Sequence, residues 1–121
     1  MRVLIADDQP SVRSALKLVL EQNGITVVHD VTDSRELLDC LTTKQVDLVL
    51  LDWELPGRPS KKVIPVLHSQ LPGLVVIVLD SRPQTRTEAL AAGADGFACK
   101  GDPPEYLLEA ISSCWPGNKQ I

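Results

Sequence analysis

The sequence predicts an α/β fold: one doubly wound domain, residues 1–121, with five parallel strands and helices on both faces. Three observations predict it. Short apolar runs alternate with segments of helical spacing, five of each, which implies a parallel sheet with right-handed crossovers. The central run, Leu48-Val49-Leu50-Leu51, is apolar throughout, as in a strand buried on both faces of a parallel sheet. Four of the five runs end in charged residues, and parallel strands bring such ends to one edge, where open α/β sheets bind ligands.

The elements follow in order. Arg2-Val3-Leu4-Ile5-Ala6 is a strand stopped by Asp7-Asp8. Pro10 suits the first turn of a helix, with Asp8 a candidate cap; Val12, Ala15, Leu16, Val19 and Leu20 form its apolar face and Gly24 ends it. Ile25-Thr26-Val27-Val28 is the second strand. Asp33 or Ser34 caps a helix that buries Leu37, Leu38 and Leu41, and Asp47 leads into the third strand, which ends at Asp52. Arg58-Pro59-Ser60-Lys61-Lys62 reads as a polar loop. An interior proline costs a helix about 3 kcal/mol, so the next helix is expected to start near Ile64 with Pro65 in its first turn. Leu74–Leu79 is the fourth strand and ends at Asp80-Ser81. Thr87–Ala92 is a short helix closed by Gly93, and Asp95–Cys99 a weaker fifth strand ending at Lys100. Asp102-Pro103-Pro104-Glu105 has the form of a helix start: cap, prolines, acid. Leu107, Leu108, Ile111 and Trp115 form its buried stripe, and Pro116-Gly117 stops it.

Composition narrows the function. At 44% hydrophobic and mean hydropathy +0.04, the chain suits a globular domain. No apolar run approaches the roughly 18–20 residues of a membrane span, and the N-terminus carries no signal-peptide pattern, so a cytoplasmic location is expected. The net charge of −4 argues against direct nucleic-acid binding by this segment. Cys40, Cys99 and Cys114 match no zinc spacing and read as reduced thiols. His29 and His68 stand apart from one another and from the cysteines, which suits neither a ligand set nor a catalytic base.

The strand-end charges are Asp7-Asp8, Asp52, Asp80 and Lys100. Converging carboxylates repel, and a hard cation with oxygen ligands, Mg²⁺, resolves the repulsion. A carboxylate neutralised by metal beside a lysine is a reasonable phosphoryl acceptor, since a carboxylate can form an aspartyl-phosphate and the transfer needs positioning and charge neutralisation.

Three stretches, Val3-Leu4-Ile5-Ala6-Asp7-Asp8-Gln9-Pro10, Leu48–Gly57 and Gly93-Ala94-Asp95-Gly96-Phe97-Ala98-Cys99-Lys100, resemble the receiver domain of two-component response regulators. The spacing is most similar to receivers that precede a helix-turn-helix DNA-binding domain. The resemblance implies a flavodoxin-like sheet of strand order 2-1-3-4-5 and phosphorylation by a histidine kinase or phosphotransfer protein. It implies Asp52 as phosphoacceptor and Lys100 as the lysine that pairs with the phosphoryl group. It assigns Mg²⁺ to Asp7, Asp8, Asp52 and the backbone carbonyl of Glu54, and the aromatic switch position to Phe97. It further implies an output face built by the last two helices and the fifth strand, self-association as a homodimer, and a signalling role in transcription regulation. Catalysis would go no further than the domain's own phosphorylation and dephosphorylation.

The chain departs from the family at the end of the fourth strand. Receivers place Thr or Ser there, and this chain has Asp80, which cannot donate a hydrogen bond when ionised. At about 5 Å and an effective dielectric near 20, each unit-charge pair with a phosphoryl group costs roughly 3 kcal/mol. Three arrangements relieve the conflict: Ser81 substitutes through a loop shift, Asp80 points to solvent, or Asp80 pairs with Lys100 and fixes the site in one state. The residues leave all three open. Arg58–Lys62 with Pro65, Gly101 in place of proline after the lysine, and Phe97 in place of tyrosine are further departures. Asp80 motivates an alternative, a phosphate-independent protein-interaction module. A phosphatase similar to the haloacid dehalogenases is disfavoured because Asp7-Asp8-Gln9 misplaces the second acid of that family's Asp-x-Asp motif, and no Gly-rich phosphate loop appears. Trp53, beside the acceptor, is expected at the mouth of the site.

Overall fold

The computed structural model describes residues 1–115. Five strands alternate with five helices: β1 (Arg2–Ala6), α1 (Pro10–Gln22), β2 (Thr26–Val31), α2 (Ser34–Thr43), β3 (Leu48–Asp52), α3 (Ser60–Gln70), β4 (Val75–Asp80), α4 (Thr85–Ala91), β5 (Gly96–Cys99) and α5 (Pro104–Cys114). All strands pair in parallel, in the order β2-β1-β3-β4-β5. This is the doubly wound architecture that the alternation predicts.

The sheet divides the core into two layers, as residues along a strand alternate between faces. Leu4, Val49, Leu51, Val76, Val78 and Phe97 pack toward α2, α3 and α4. Val3, Ile5, Leu48, Leu50, Ile77, Leu79 and Ala98 pack toward α1 and α5. Every residue of β3 and β4 is buried, which accounts for their unbroken apolar sequences.

Several boundaries differ from the sequence reading. β2 runs on to Val31, paired with β1 as far as Ala6. Gln9, not Asp8, occupies the N-cap of α1 and no side chain caps that helix, whereas Asp33 caps α2 by accepting from the Glu36 amide at 2.7 Å. Glu36 returns the favour by accepting from the Thr32 amide at 2.7 Å.

α3 starts four residues before the expected Ile64, and Pro65 lies inside it. Two contacts outweigh the proline: the Ser60 hydroxyl donates to the Asp52 carbonyl at 3.0 Å, and Val63, Ile64 and Leu67 are all buried on one helical face. α4 begins at Thr85 rather than Thr87. Pro103, not Asp102, holds the cap position of α5, with Pro104 opening the helix. Leu107 and Ile111 are buried, while Leu108 and Trp115 only partly enter that core. The Pro116-Gly117 stop lies outside the described residues.

Among the described residues no helix is long and apolar enough to cross a membrane. The three cysteines are free thiols whose pKa values are pushed up by burial first of all. His29 is exposed, and His68 ties α3 to the turn after α4, its Nε2 2.7 Å from the Gly93 carbonyl.

Candidate functional site

β1, β3 and β5 bring Asp7, Asp52 and Lys100 together at the carboxyl edge of the sheet. Each follows a residue that faces the α2–α4 layer (Ala6, Leu51 and Cys99), so alternation turns all three toward the α1–α5 side. The Lys100 ammonium sits between the carboxylates, 2.6 Å from Asp7 Oδ2 and 3.3 Å from Asp52 Oδ1. Both acids are buried, and Asp8 is exposed beside them.

Local hydrogen bonds fix each acid. Asp7 Oδ1 accepts from the Gln9 amide at 2.9 Å, and Arg13 donates to the Asp7 carbonyl at 2.9 Å. Asp52 Oδ1 accepts from the Glu54 amide at 3.0 Å. Beyond Pro56, Gly57 adopts φ +103°, a conformation that favours glycine, and a side chain there would strike Ser34. The Ser34 hydroxyl instead accepts from the Arg58 amide at 2.8 Å, which anchors the loop after the acceptor.

Burial pushes the Asp52 carboxyl above the usual range; the Glu54 amide opposes this, Asp7 adds to it and Lys100 counters it. For Lys100, burial acts to lower the pKa, but the Asp7 and Asp52 carboxylates prevail and the net shift is upward.

Oxygens of Asp7, Asp8 and Asp52 lie within 4.8 Å of one another, and Asp7 Oδ2 is buried against the Lys100 ammonium. Hard carboxylate oxygens, two from buried acids and one from an acid open to water, fit a hydrated divalent cation.

Asp80 has a different fate. It follows Leu79, which faces the α1–α5 layer, so alternation turns it to the opposite face from Asp52. It is buried, only 3% exposed, and does not point to solvent. Nor does its side chain pair with Lys100. Its Oδ2 accepts from the Thr85 hydroxyl at 2.6 Å and from Arg82 Nε at 3.0 Å. Burial alone would raise its pKa, but Thr85 and Arg82 bring it below the usual carboxylate range. The other end of the guanidinium reaches Glu54 Oε1 at 2.7 Å. Ser81 is exposed, and Phe97 is buried beneath Arg86, whose guanidinium lies 5.3 Å from the ring centroid. Trp53 is half-buried against the α2–α4 core, its amide bonded to the Leu79 carbonyl at 2.8 Å.

Ser60, Arg82 and Thr85 went unread as site residues in the sequence. Ser60 stands after a proline at an unrecognised helix start. Thr85 and Arg82 find their partner only because β4 delivers Asp80 beside α4.

A doubly wound sheet with buried acids and a lysine at its carboxyl edge defines a class: α/β domains that gather charge at the strand ends for ligand or group-transfer chemistry. Comparison with known proteins narrows it. The response regulator receiver domain model matches residues 3–112, and the chain belongs to that family of two-component signalling domains. A putative transcriptional regulator of Pseudomonas aeruginosa is 34% identical over 96% of this chain and 57% of its own length. The nitrate/nitrite response regulator NarP of Escherichia coli is 31% identical over 98% of this chain and 56% of its own. Among solved structures, the RcsB response regulator of Salmonella typhimurium superposes with a TM-score of 0.87 at 28% identity, covering 97% of this chain and 59% of that one. A CheY-like receiver domain protein of Methanospirillum hungatei gives 0.83 at 26% identity, covering 98% and 96%. The chain therefore spans little more than half the length of the curated relatives it matches.

Proposed function

We propose that residues 1–121 form one receiver domain that takes a phosphoryl group on Asp52 from a histidine kinase or phosphotransfer protein. The observation that carries this reading is the buried cluster of Lys100 between Asp7 and Asp52. A carboxylate oxygen of Asp52 attacks phosphorus, the P–N bond of the donor phosphohistidine breaks, and its electron pair stays on the imidazole nitrogen, which takes up a proton. Lys100 favours the ionised, nucleophilic form of Asp52 and balances charge on the incoming oxygens. Asp7, Asp8, Asp52 and the Glu54 carbonyl would hold Mg²⁺, which when bound supplies further charge neutralisation.

Phosphorylation then alters the face of α4, β5 and α5 through Phe97, with homodimer formation or a C-terminal helix-turn-helix DNA-binding domain as the readout. The charge argument against an acid at position 80 loses force, because Arg82 and Thr85 already compensate Asp80.

The test is intact mass after incubation with acetyl phosphate and Mg²⁺, for the wild type and Asp52→Ala. One phosphoryl adduct in the wild type alone is expected. No adduct on folded wild type, with Mg²⁺ bound, would overturn the reading.

A further inference from the structure

We propose that Arg82 is a phosphoryl-binding residue of this domain: its guanidinium exchanges Glu54 for the phosphoryl group on Asp52 while staying anchored to Asp80. The inference rests on the receiver reading above and adds to it how this chain works with a carboxylate at the switch position.

The two ends of the Arg82 fork are unequal. Nε holds Asp80 Oδ2 at 3.0 Å, and that carboxylate is buried and also held by the Thr85 hydroxyl at 2.6 Å. Nη2 holds Glu54 Oε1 at 2.7 Å, where the Arg82 side chain is 51% and the Glu54 side chain 67% exposed. An exposed pair between two long side chains is weak and exchangeable, whereas an ion pair with a buried, hydrogen-bonded carboxylate is not. Glu54 is also the residue whose amide binds Asp52 Oδ1 at 3.0 Å, so the exchangeable end of the fork already rests on the acceptor's own turn.

A phosphoryl group on Asp52 would offer that end more charge and more acceptor oxygens than the Glu54 carboxylate, and guanidinium N–H groups pair well with phosphate oxygens. Asp80 has no proton to donate, and Arg82 supplies N–H donors in its place. Asp80 is then the buried anchor that aims the fork. Moving Arg82 toward Asp52 draws on the loop between β4 and α4. Asp80 ties that loop to Thr85, the first residue of α4, and Arg86 of the same helix lies over Phe97. The exchange thereby links the acceptor to α4 and the ring at the switch position.

The test uses beryllium fluoride as the phosphoryl stand-in, with Mg²⁺, read by calorimetry and Trp53 fluorescence. Arg82→Ala is expected to weaken beryllium fluoride binding at least tenfold while Mg²⁺ affinity stays within about twofold. Arg82→Lys, which keeps the charge and loses the fork, should fall between. Glu54→Gln, which keeps the backbone and loosens the competing contact, should bind beryllium fluoride more tightly than wild type. Arg82→Ala leaves Asp80 without its cation, so Arg82→Ala with Asp80→Asn, which removes the stranded charge, guards against loss of folding and should bind beryllium fluoride as weakly as Arg82→Ala. Unchanged binding in folded Arg82→Ala would overturn the inference and leave the receiver reading standing. A wild type that binds Mg²⁺ but no beryllium fluoride would overturn both.

Discussion

Lys100→Met tests whether the ammonium, rather than the fold around it, holds Asp7 and Asp52 together. The substitution keeps most of the stem's volume and removes the charge lying 2.6 Å and 3.3 Å from the two buried carboxylates. Breaking a buried pair by deleting one partner costs about 3–5 kcal/mol. Lys100 is one-fifth exposed, so water reaches the stranded acids and the lower end, ~3 kcal/mol, applies. For a domain of this size that corresponds to a fall of about 10 °C in Tm. The assay is urea unfolding in chelator at neutral pH for wild type, Lys100→Met, Asp7→Asn and the double variant. The double variant should lose at least ~1 kcal/mol less than the sum of the singles, because removing one acid relieves the repulsion that Lys100 masks. The folded-state pKa of Lys100 is raised, so its contribution is fully present below the ordinary lysine value and is lost as pH rises through the higher folded value. If Asp7, Asp8 and Asp52 hold Mg²⁺ in the folded domain as proposed, the ion should restore more stability to Lys100→Met than it adds to the wild type. A variant within ~0.5 kcal/mol of wild type in chelator, or strict additivity with Asp7→Asn, would refute the electrostatic account.

Other expectations follow from single contacts. The folded-state pKa of Asp80 is lowered, so its pairing stabilises the domain above the ordinary carboxylate range and is lost as pH falls through the folded value; Asp80→Asn should flatten the acid limb of a stability–pH curve. Burial raises the Asp52 pKa and Lys100 restrains it, so acetyl phosphate labelling should fall off at a higher pH than an ordinary aspartate would give, and Lys100→Met should move that midpoint further up. Gly57→Ala places a side chain against Ser34 at φ +103° and should cost about 1–3 kcal/mol, read by urea denaturation. Pro65 is exposed within α3, so Pro65→Ala restores a helical N–H and should stabilise by about 1–2 kcal/mol, with no change expected at the acceptor.

Most of the fold was legible because the strands advertise themselves. β3 and β4 are buried on both faces, and burial of that kind admits little besides Val, Leu and Ile. The helices were harder wherever local cost and tertiary gain conflicted. Pro65 argued for a late start to α3, at a cost of about 3 kcal/mol. Burial of Val63, Ile64 and Leu67 offsets that at about 1.5–3 kcal/mol per side chain, and the Ser60 hydroxyl satisfies a strand-end carbonyl besides. Neither gain is visible until β3 and α3 are placed against each other. The early start of α4 has the same origin: Thr85 is drawn into the first turn by a carboxylate on the preceding strand.

The site was legible to the level of an edge but not of a face. Strand ends at Asp7, Asp52, Asp80 and Lys100 mark one rim of the sheet, and convergence at that rim was the right inference. It treated the four charges as one cluster, which made Asp80 an obstacle. The pleat separates them. Asp7, Asp52 and Lys100 follow residues of one layer and turn to the α1–α5 side, while Asp80 follows Leu79 and turns to the other. A shift of one residue in where a strand stops decides which face its terminal charge joins, and an apolar run does not reveal its last paired residue. Asp80 thus joins α4, where Thr85 and Arg82 meet it, and the charge expected to oppose the acceptor becomes the anchor of a cation paired with Glu54 on the turn after the acceptor.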